Sequence, residues 1–444
     1  MSFDQGSLLR KLTELTDLAG KPNRIIVAFS GGLDSTVLLH ALAASRDTHR
    51  TAILAIHINH GLHKDAPDWC NACKAFAQSL GIQFESADVA VAVDSGQGLE
   101  AAARHARYDA FAAFLRSGDV LLSAHHKDDQ AETLLLNLMR GSGPAGLAGI
   151  AEVRPLGAGW LLRPILSTSR NELRAYAARY ALKWIDDPSN EDTTFDRNYL
   201  RHEVLPLLEQ RWPGVAGRLQ RSAILAGEAA TMLDQLADAD RQQLGGRPDR
   251  LSLAGLRELP VERQRNVLRY VIRELGLPSP PAAQLQSIIA DLVPARDDGQ
   301  TLVEWPGAEV RRYREQVYVL PAMTRARNST AAMQDGGRFV LAAGMGELIL
   351  EPGAPEGLAM DLVARGLELR YRSGGEEIKL TGQSHTRKLK KLLQEEGVVP
   401  WMRERLPLLY SGKELVAVAD LWLAADAASR PGVAVHWISR PPIH

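Results

Sequence analysis

The chain has 444 residues, of which 45% are hydrophobic and 24% are charged, and its formal net charge is −1. A length of this order predicts about two to four domains, with enough apolar residues for several cores. The near-neutral charge excludes a uniformly basic nucleic-acid-binding protein, so any basic surface must be local. The sequence has no apolar run of about 18 residues and no signal-peptide core, which predicts a cytoplasmic protein without membrane contact.

The first part of the chain alternates apolar and amphipathic segments. Strands are predicted at Ile25–Phe29, Ile53–Asn59, Gln83–Val89 and Val120–Ala124. Helices are predicted near Asp34–Ala43, Ala66–Leu80 and Leu99–Leu115. This βαβ alternation indicates the α/β class with a doubly wound parallel sheet, in which ligands bind beyond the carboxyl ends of the strands. We therefore expect the segments 30–35, 57–63 and 124–129 to meet in one crevice.

The pattern changes in the rest of the chain. A helix is predicted near Ser169–Leu182, with a capping box formed by Ser169 and Glu172. The pattern is wholly helical from about Pro206 to Leu275. The two arms of a hairpin are then predicted at Thr301–Trp305 and Glu309–Leu320. A linker follows at Met323–Gly337, and two short strands are predicted at Arg338–Ala342 and Glu347–Glu351. We predict a doubly wound domain at residues 1–212 and a mainly helical domain at 213–322. A linker with short strands at 323–366 and a small α+β domain at 367–444 complete the chain.

The loop between the first strand and the first helix of this alternation predicts a phosphate cradle. It reads Ser30-Gly31-Gly32-Leu33-Asp34-Ser35. Glycines allow close approach of backbone amides to a ligand, and a helix start adds a positive dipole end. No lysine follows the glycines, which excludes a Walker A loop. The alternative is an ordinary turn capped by Asp34 or Ser35.

Asp34 is the unusual member of this loop, because a carboxylate next to phosphates is unfavourable without a cation between them. It therefore predicts a bound Mg²⁺ or an orienting hydrogen bond. The loop resembles that of the pyrophosphate-loop ATPases. This resemblance implies an adenine-nucleotide α-hydrolase-like fold, cleavage of ATP between the α and β phosphates, adenylylation of a substrate, and a loop that holds the leaving pyrophosphate.

A second polar segment, His125-His126-Lys127-Asp128-Asp129-Gln130-Ala131-Glu132-Thr133, follows the predicted strand Val120–Ala124. Acids in a first helical turn also stabilise the helix dipole, so capping is the structural alternative. The segment resembles a signature of one branch of the pyrophosphate-loop family, the tRNA(Ile)-lysidine synthetases. The matching residues are His126, Asp129, Glu132 and Thr133.

Other stretches resemble the same branch at both ends of the chain. They are 57–62 (HINHGL), 100–108 (EAAARHARY), 187–190 (DPSN), 197–202 (RNYLRH), 388–393 (KLKKLL), 400–401 (PW), 405–408 (RLPL) and 421–422 (LW). The middle of the chain, roughly 219–351, has no matching motif.

The resemblance implies conversion of the wobble cytidine of tRNA(Ile) to lysidine with ATP and lysine. It implies nucleotide binding by residues 30–35 and by His57. His126, Asp129 and Glu132 are then expected to bind substrate, with Asp129 holding and deprotonating the lysine ammonium. The expected partners are lysine and the anticodon region and acceptor stem of tRNA(Ile), and a homodimer is compatible with this assignment.

Arg104 and Arg107 share one face of the predicted helix Leu99–Leu115 with Glu100, because they are spaced i, i+4 and i+7. A solvated Glu100–Arg104 ion pair is the ordinary explanation and would contribute about 0.3–0.5 kcal/mol. Guanidinium groups also match phosphate oxygens, so these arginines are candidates for neutralising ATP or tRNA phosphates during catalysis.

Two local basic regions predict contacts with RNA. Residues 370–405 contain nine Lys or Arg and five Asp or Glu, with Lys388, Lys390 and Lys391 on the face opposite three leucines. A second excess surrounds Arg197 and Arg201. Solvated surface helices are the alternative, but two separate basic regions suit a long polyanion held at several places.

Cys70 and Cys73 are the only cysteines and follow three histidines, His57, His60 and His63. Zinc binding is one interpretation, but thiols spaced i and i+3 on an amphipathic helix are ordinary packing residues. The alternative functions are a 2-thiocytidine synthetase, which would need a further cysteine for its cluster, a small-molecule ATP-pyrophosphatase ligase, and a nucleotide-binding adaptor without activity.

Overall fold

The computed structural model describes residues 3–49, 51–59, 61, 65–90, 99–294, 301–323, 331–332, 337–342 and 344–443. The chain divides into two compact units, Met1–Leu233 and Asp234–His444. This division falls inside a helix, and the boundaries of the four predicted domains remain predictions. No helix in the described part of the chain is long and apolar enough to cross a bilayer.

The first unit is built on a six-stranded sheet. Its strands are β1 Arg24–Ala28, β2 Ala52–Asn59, β3 Gln83–Asp88, β4 Asp119–Leu122, β5 Val153–Leu156 and β6 Gly159–Leu162. They lie in the order β3-β2-β1-β4-β6-β5, and every neighbouring pair is parallel except β5 with β6. The predicted parallel sheet is confirmed. The antiparallel edge was not predicted, because β5 is short and contains Pro155, a residue that edge strands tolerate.

The helices of this unit follow the strands in the expected alternation. They are α1 Gln5–Ala19, α2 Leu33–Ala43, α3 Arg46–His49, α4 Ala66–Ser79, α5 Leu99–Phe114, α6 Lys127–Met139, α7 Pro144–Leu147, α8 Arg170–Arg179, α9 Asp196–Tyr199, α10 Leu205–Arg211 and α11 Val215–Gln243, of which α11 continues into the second unit. A π-helical turn, Leu200–Val204, joins α9 to α10. The predicted capping box of α8 is confirmed by the Ser169 hydroxyl and the Glu172 carboxylate.

The second unit begins with helices and a small antiparallel sheet. Its helices are α12 Leu253–Glu258, α13 Val261–Glu274, α14 Ala282–Ser287, α15 Met360–Ala364, α16 Leu389–Glu395 and α17 Pro400–Arg403. Its first strands are β7 Arg250–Ser252, β8 Leu302–Trp305, β9 Ala308–Tyr313 and β10 Gln316–Pro321, in the order β7-β10-β9-β8. The wholly helical prediction for 206–275 is therefore wrong at β7.

The prediction of one long hairpin arm at Glu309–Leu320 is also wrong, because β9 and β10 are separate strands. The turn between them includes Arg314, whose φ is +52°. No glycine, asparagine or proline stands at this turn, so its sequence carries no ordinary turn signal.

The remaining strands form the C-terminal part of the second unit. They are β11 Ala331–Ala332, β12 Arg338–Val340, β13 Glu347–Ala354, β14 Gly357–Leu358, β15 Glu368–Tyr371, β16 Glu377–Ile378, β17 Arg387–Lys388, β18 Pro407–Ser411, β19 Glu414–Val418, β20 Trp422–Leu423, β21 Ala428–Ser429 and β22 Gly432–Ile438. Two five-stranded sheets have the orders β11-β15-β18-β19-β20 and β12-β13-β22-β14-β21. Within the predicted linker Met323–Gly337, residues 331–332 form β11, whereas 324–330 and 333–336 lie outside the described residues.

Strand β10 contributes to two hydrophobic cores. Val317 and Val319 belong to the core that includes Val267 and Leu268 of α13. Tyr318, together with Leu320, belongs to the core of the C-terminal sheets. Successive side chains of a strand point to opposite faces, so β10 is buried on both faces.

Candidate active site at the carboxyl ends of the parallel strands

The loop between β1 and α2 is held by a compact set of hydrogen bonds. The Ser30 and Ser35 hydroxyls lie 3.1 Å apart, and the Ser35 hydroxyl donates to Gly32 O at 3.1 Å. Thr36 Oγ1 donates to Gly31 O at 3.2 Å, and Ile185 N donates to the same carbonyl at 2.9 Å. The loop is therefore fixed both by its own helix and by the segment that follows α8.

Gly31 lies in the left-handed region, with a φ of +84°. A Cβ at this position would lie 2.6 Å from Cys73 Sγ and 2.7 Å from Ile185 Cδ1. Cys73 is buried, and burial raises the pKa of its thiol to about 12. This cysteine is therefore a neutral packing residue beneath the loop, and the role of Ile185 was missed by sequence reasoning.

We expect Gly31→Ala to destabilise the protein by about 3 kcal/mol, because it combines left-handed strain with overpacking. Gly32→Ala is the matched control, since Gly32 has a φ of −71° and its Cβ would come no closer than 3.6 Å to another atom. Thermal unfolding of both variants measures the difference. Equal melting temperatures would contradict this account, and adding Cys73→Ala to Gly31→Ala should restore part of the loss.

His126 connects the loop with the start of α6. Its Nε2 lies 3.5 Å from Asp34 Oδ2 and 3.5 Å from Asp129 Oδ2, and its Nδ1 lies 3.6 Å from Asp128 Oδ2. Burial disfavours the charged ring, but Asp129, Asp128 and Asp34 outweigh this effect and raise the pKa of His126 to about 10. The ring is thus an imidazolium enclosed by three carboxylates at neutral pH.

His126 also occupies the N-cap of α6, and Asp128 and Asp129 stand in the first turn, where the capping alternative placed the acids. Asp129 Oδ2 accepts a 2.9 Å hydrogen bond from His126 N, and the reciprocal contact from Asp129 N to His126 Nδ1 is 3.4 Å long. An imidazolium cannot accept at Nδ1, so only the shorter of these bonds persists when the ring is charged. Capping and a role at the site therefore coexist in the same residues.

A buried network of two acids and two arginines lies beside His126. Arg197 Nε and Arg201 Nε donate to Glu132 at 2.7 Å each. The same guanidinium groups reach Asp129 Oδ1 at 3.0 and 3.3 Å. The Glu132 side chain is 0% exposed and that of Asp129 is 12% exposed. Since α9 carries Arg197 and the π-helical turn carries Arg201, these elements aim both side chains inward.

This network changes the roles expected for Glu132 as a substrate-binding residue and for Asp129 as a proton acceptor. Glu132 has both oxygens bonded to arginines and no exposed surface, so it holds Arg197 and Arg201 in place instead of facing a ligand. Burial opposes ionisation of Asp129, but His126 and Arg197 outweigh it and lower the pKa of its carboxyl. A carboxylate with a lowered pKa attracts an ammonium group but is a weak proton acceptor. Arg197 and Arg201 are correspondingly engaged with acids, not arranged as an open phosphate-binding surface.

Other predicted site residues have clear places in the fold. His57 is buried, and its Nδ1 donates to Phe29 O at 3.0 Å, so this histidine ties β2 to the start of the loop. Arg104 and Arg107 of α5 both lie over the Tyr108 ring, at 5.2 and 6.0 Å from its centroid. The Glu100 side chain lies outside the described part of the chain, as do His60 and His63.

In the second unit, Lys388 and the α16 residues Lys390 and Lys391 are exposed. Leu389, Leu392 and Leu393 on the opposite side are buried, which confirms the predicted orientation of the basic face. The structure thus leaves these three ammonium groups at the surface.

The loop residues suit a magnesium ion through Asp34. Its Oδ1 is buried without a hydrogen-bond partner, although Oδ2 lies near His126. The described residues contain no cluster of three or more histidines, cysteines or acids that would hold a metal ion by themselves. Mg²⁺ does not need such a cluster, because it commonly takes one or two carboxylates together with phosphate oxygens.

A parallel sheet with a lysine-free phosphate loop at its carboxyl edge is the arrangement expected of the pyrophosphate-loop class. A family model described as PP-loop domain matches residues 5–208. Models described as TilS substrate binding domain and TilS substrate C-terminal domain match residues 251–318 and 367–437.

Relatives named tRNA(Ile)-lysidine synthase match nearly the whole chain, as three examples show. The protein of Alkalilimnicola ehrlichii is 44% identical over 93% of both chains. That of Xanthomonas campestris is 42% identical over 96% of this chain and 97% of its own, and that of Coxiella burnetii is 39% identical over 94% and 92%. This chain therefore belongs to the tRNA(Ile)-lysidine synthase family.

Among solved structures, the U34-tRNA thiolase NcsA of Methanococcus maripaludis is 18% identical, with a TM-score of 0.42 over 50% of this chain and 79% of its own. A similarity of this size carries no conclusion about activity.

Proposed function

We propose that this chain ligates lysine to C2 of the wobble cytidine of tRNA(Ile) through an adenylylated tRNA, releasing pyrophosphate and AMP. The observation that carries the proposal is the position of His126, within 3.5 Å of both Asp34 of the phosphate loop and Asp129 of α6. A site for ATP cleavage and an acidic site for an amine thus adjoin across one side chain.

In the first half-reaction, cytosine O2 attacks the α-phosphate of ATP and pyrophosphate leaves into the loop of residues 30–35. The backbone amides and the Ser30 and Ser35 hydroxyls supply hydrogen bonds to the leaving group. Asp34 would hold Mg²⁺, which supplies charge neutralisation on the phosphates. Arg104 and Arg107 add positive charge for ATP or tRNA phosphates.

In the second half-reaction, an amine of lysine attacks C2 and AMP leaves. The side-chain ammonium of free lysine has a pKa of about 10.4, so it must lose a proton before or during attack. Of the two acids in the buried network, only Asp129 keeps any exposed side-chain surface, and we assign it the binding and orientation of the ammonium group. Its lowered pKa argues against a role as the proton acceptor.

The C-terminal part contributes RNA binding in this proposal. The exposed Lys388, Lys390 and Lys391 face outward from a helix whose other side is buried, as a phosphate-binding surface requires. We assign the regions around 213–322 and 367–444 to the anticodon region and acceptor stem of tRNA(Ile). We also propose that the chain can form a homodimer, which sedimentation of the purified protein would test by measuring its mass in solution.

The test is pyrophosphate release in the presence of ATP, lysine and tRNA(Ile), with each omitted in turn. We expect release to require ATP and tRNA, and lysidine to form only when lysine is added. Release without RNA would indicate a small-molecule ligase, and ATP binding without turnover would indicate an adaptor. Activity with a sulfide donor but not with lysine would overturn the proposal in favour of a 2-thiocytidine synthetase.

A further inference from the structure

A cluster of arginines surrounds Tyr108 on α5. Arg154 of β5 lies 4.7 Å from the centroid of the Tyr108 ring, closer than Arg104 at 5.2 Å. Arg163, just after β6, lies near the Tyr108 side chain, where its positive charge helps to lower the pKa of the phenol. Three guanidinium groups from three separate elements therefore converge on one phenol ring.

Arg163 is the anchored member of the cluster. It is 3% exposed, and it donates from Nη1 to Ala151 O and from Nε to His125 Nδ1 at 3.4 Å. A guanidinium group has donors only, so His125 must accept at Nδ1 and is neutral in this arrangement. Burial lowers the pKa of His125 to about 3, with further lowering by nearby arginines. His125 therefore neither adds to nor offsets the positive charge.

The cluster lacks negative charge from the described part of the chain. None of the described carboxylates forms an ion pair with Arg104, Arg154 or Arg163, whereas Arg197 and Arg201 nearby are fully engaged with acids. Like charges at short range repel, and cation–π contacts with one tyrosine offset only about 0.5–2 kcal/mol. An anion bound between these groups would remove the repulsion.

We propose that Arg104, Arg154 and Arg163, arranged around Tyr108, form a phosphate-binding site next to the catalytic crevice. Arginine forks pair with phosphate oxygens through two parallel hydrogen bonds, and a buried arginine such as Arg163 holds that geometry without losing side-chain freedom on binding. The proposed function supplies two sources of phosphate, the ATP polyphosphate and the tRNA backbone. Both have the chemistry that this site recognises.

The test compares Arg154→Gln with Arg179→Gln in the full-length protein. Arg179 of α8 also lies over a tyrosine, at 5.6 Å from the Tyr180 ring, but belongs to no such cluster. We measure equilibrium binding of inorganic pyrophosphate, of ATP and of a tRNA(Ile) transcript in separate arms. Arg154→Gln is expected to weaken at least one of them about tenfold, Arg154→Lys less, and Arg179→Gln less than twofold.

The arm that changes identifies the source of the phosphate. Loss confined to pyrophosphate and ATP assigns the site to the nucleotide. Loss confined to tRNA, with the salt dependence of binding reduced by about one phosphate contact, assigns it to the RNA backbone. The binding arms need no turnover, so a failure of the proposed ligation would not affect them.

The proposal is overturned if Arg154→Gln binds all three ligands within twofold of the unaltered protein. Arg104→Gln is the second variant, and it decides the matter should Arg154→Gln unfold at the assay temperature. Because Arg104 is only partly buried, its replacement leaves the hydrogen bonds of Arg163 in place.

Discussion

Glu132→Gln is expected to lower the free energy of unfolding by about 3 kcal/mol and to reduce lysine transfer at least a hundredfold. Glu132 is fully buried and takes hydrogen bonds from both Arg197 and Arg201. Removing one partner of a buried ion pair leaves uncompensated charge, which costs about 3–5 kcal/mol. The two arginines would then both turn to Asp129, the acid to which we assign the lysine ammonium.

The measurement separates the two half-reactions. Lysine transfer onto preformed adenylylated tRNA should fall far more than pyrophosphate release, because Arg197 and Arg201 bond to Asp129, to which we assign the ammonium group, whereas the pyrophosphate is assigned to the loop. Glu172→Gln is the control, since this carboxylate closes a helix cap and should cost about 1 kcal/mol without touching the site. Equal loss in both half-reactions would contradict a role for the network in the lysine step.

Asp34→Asn is expected to reduce adenylylation of tRNA at least a hundredfold while sparing most of the transfer of lysine to a preformed intermediate. Its unpaired buried Oδ1 and its place in the phosphate loop suit a magnesium ion. An amide keeps the shape of the side chain but loses the charge that attracts the ion. Pyrophosphate release, measured over a range of magnesium concentrations, should show a requirement shifted to higher concentration.

Asp128→Asn is the matched control for Asp34→Asn. Asp128 also faces His126, at 3.6 Å, and it accepts a 2.9 Å hydrogen bond from Arg170 N. Both variants remove one carboxylate from the surroundings of the His126 imidazolium, whereas only Asp34→Asn changes the phosphate loop. If the two variants lost adenylylation equally, the effect would come from His126, and the assignment of Asp34 to the ion would be wrong.

The sequence was sufficient to predict the frame of the site. Strands β1, β2 and β4 read as apolar runs, and their ends carry the polar segments, so the convergence of the loop with His126 and Asp129 followed from the rule for parallel sheets. The capping box of α8 was equally local, since it depends on Ser169 and Glu172, three positions apart.

The sequence was not sufficient to predict which charges neutralise each other. Arg197 and Arg201 were interpreted as part of an RNA-binding region because they stand in a basic stretch, but they pair with acids more than sixty residues earlier in the chain. Nor does any local pattern indicate that Ile185 lies against Gly31, or that Arg163 of an apolar strand end joins Tyr108. These contacts depend on tertiary packing and leave no periodic signal.

Because β10 is buried on both faces, removing the C-terminal sheets from this chain would leave one of its faces uncovered. A chain that ended after Pro321 would expose Tyr318 and Leu320 to water while Val317 and Val319 stayed packed on the helices. Such a shortened protein would present an apolar row on a sheet, an aggregation hazard. We therefore expect a relative without the C-terminal sheets to carry polar residues at the positions of Tyr318 and Leu320. At the positions of Val317 and Val319 it should keep apolar residues similar to valine.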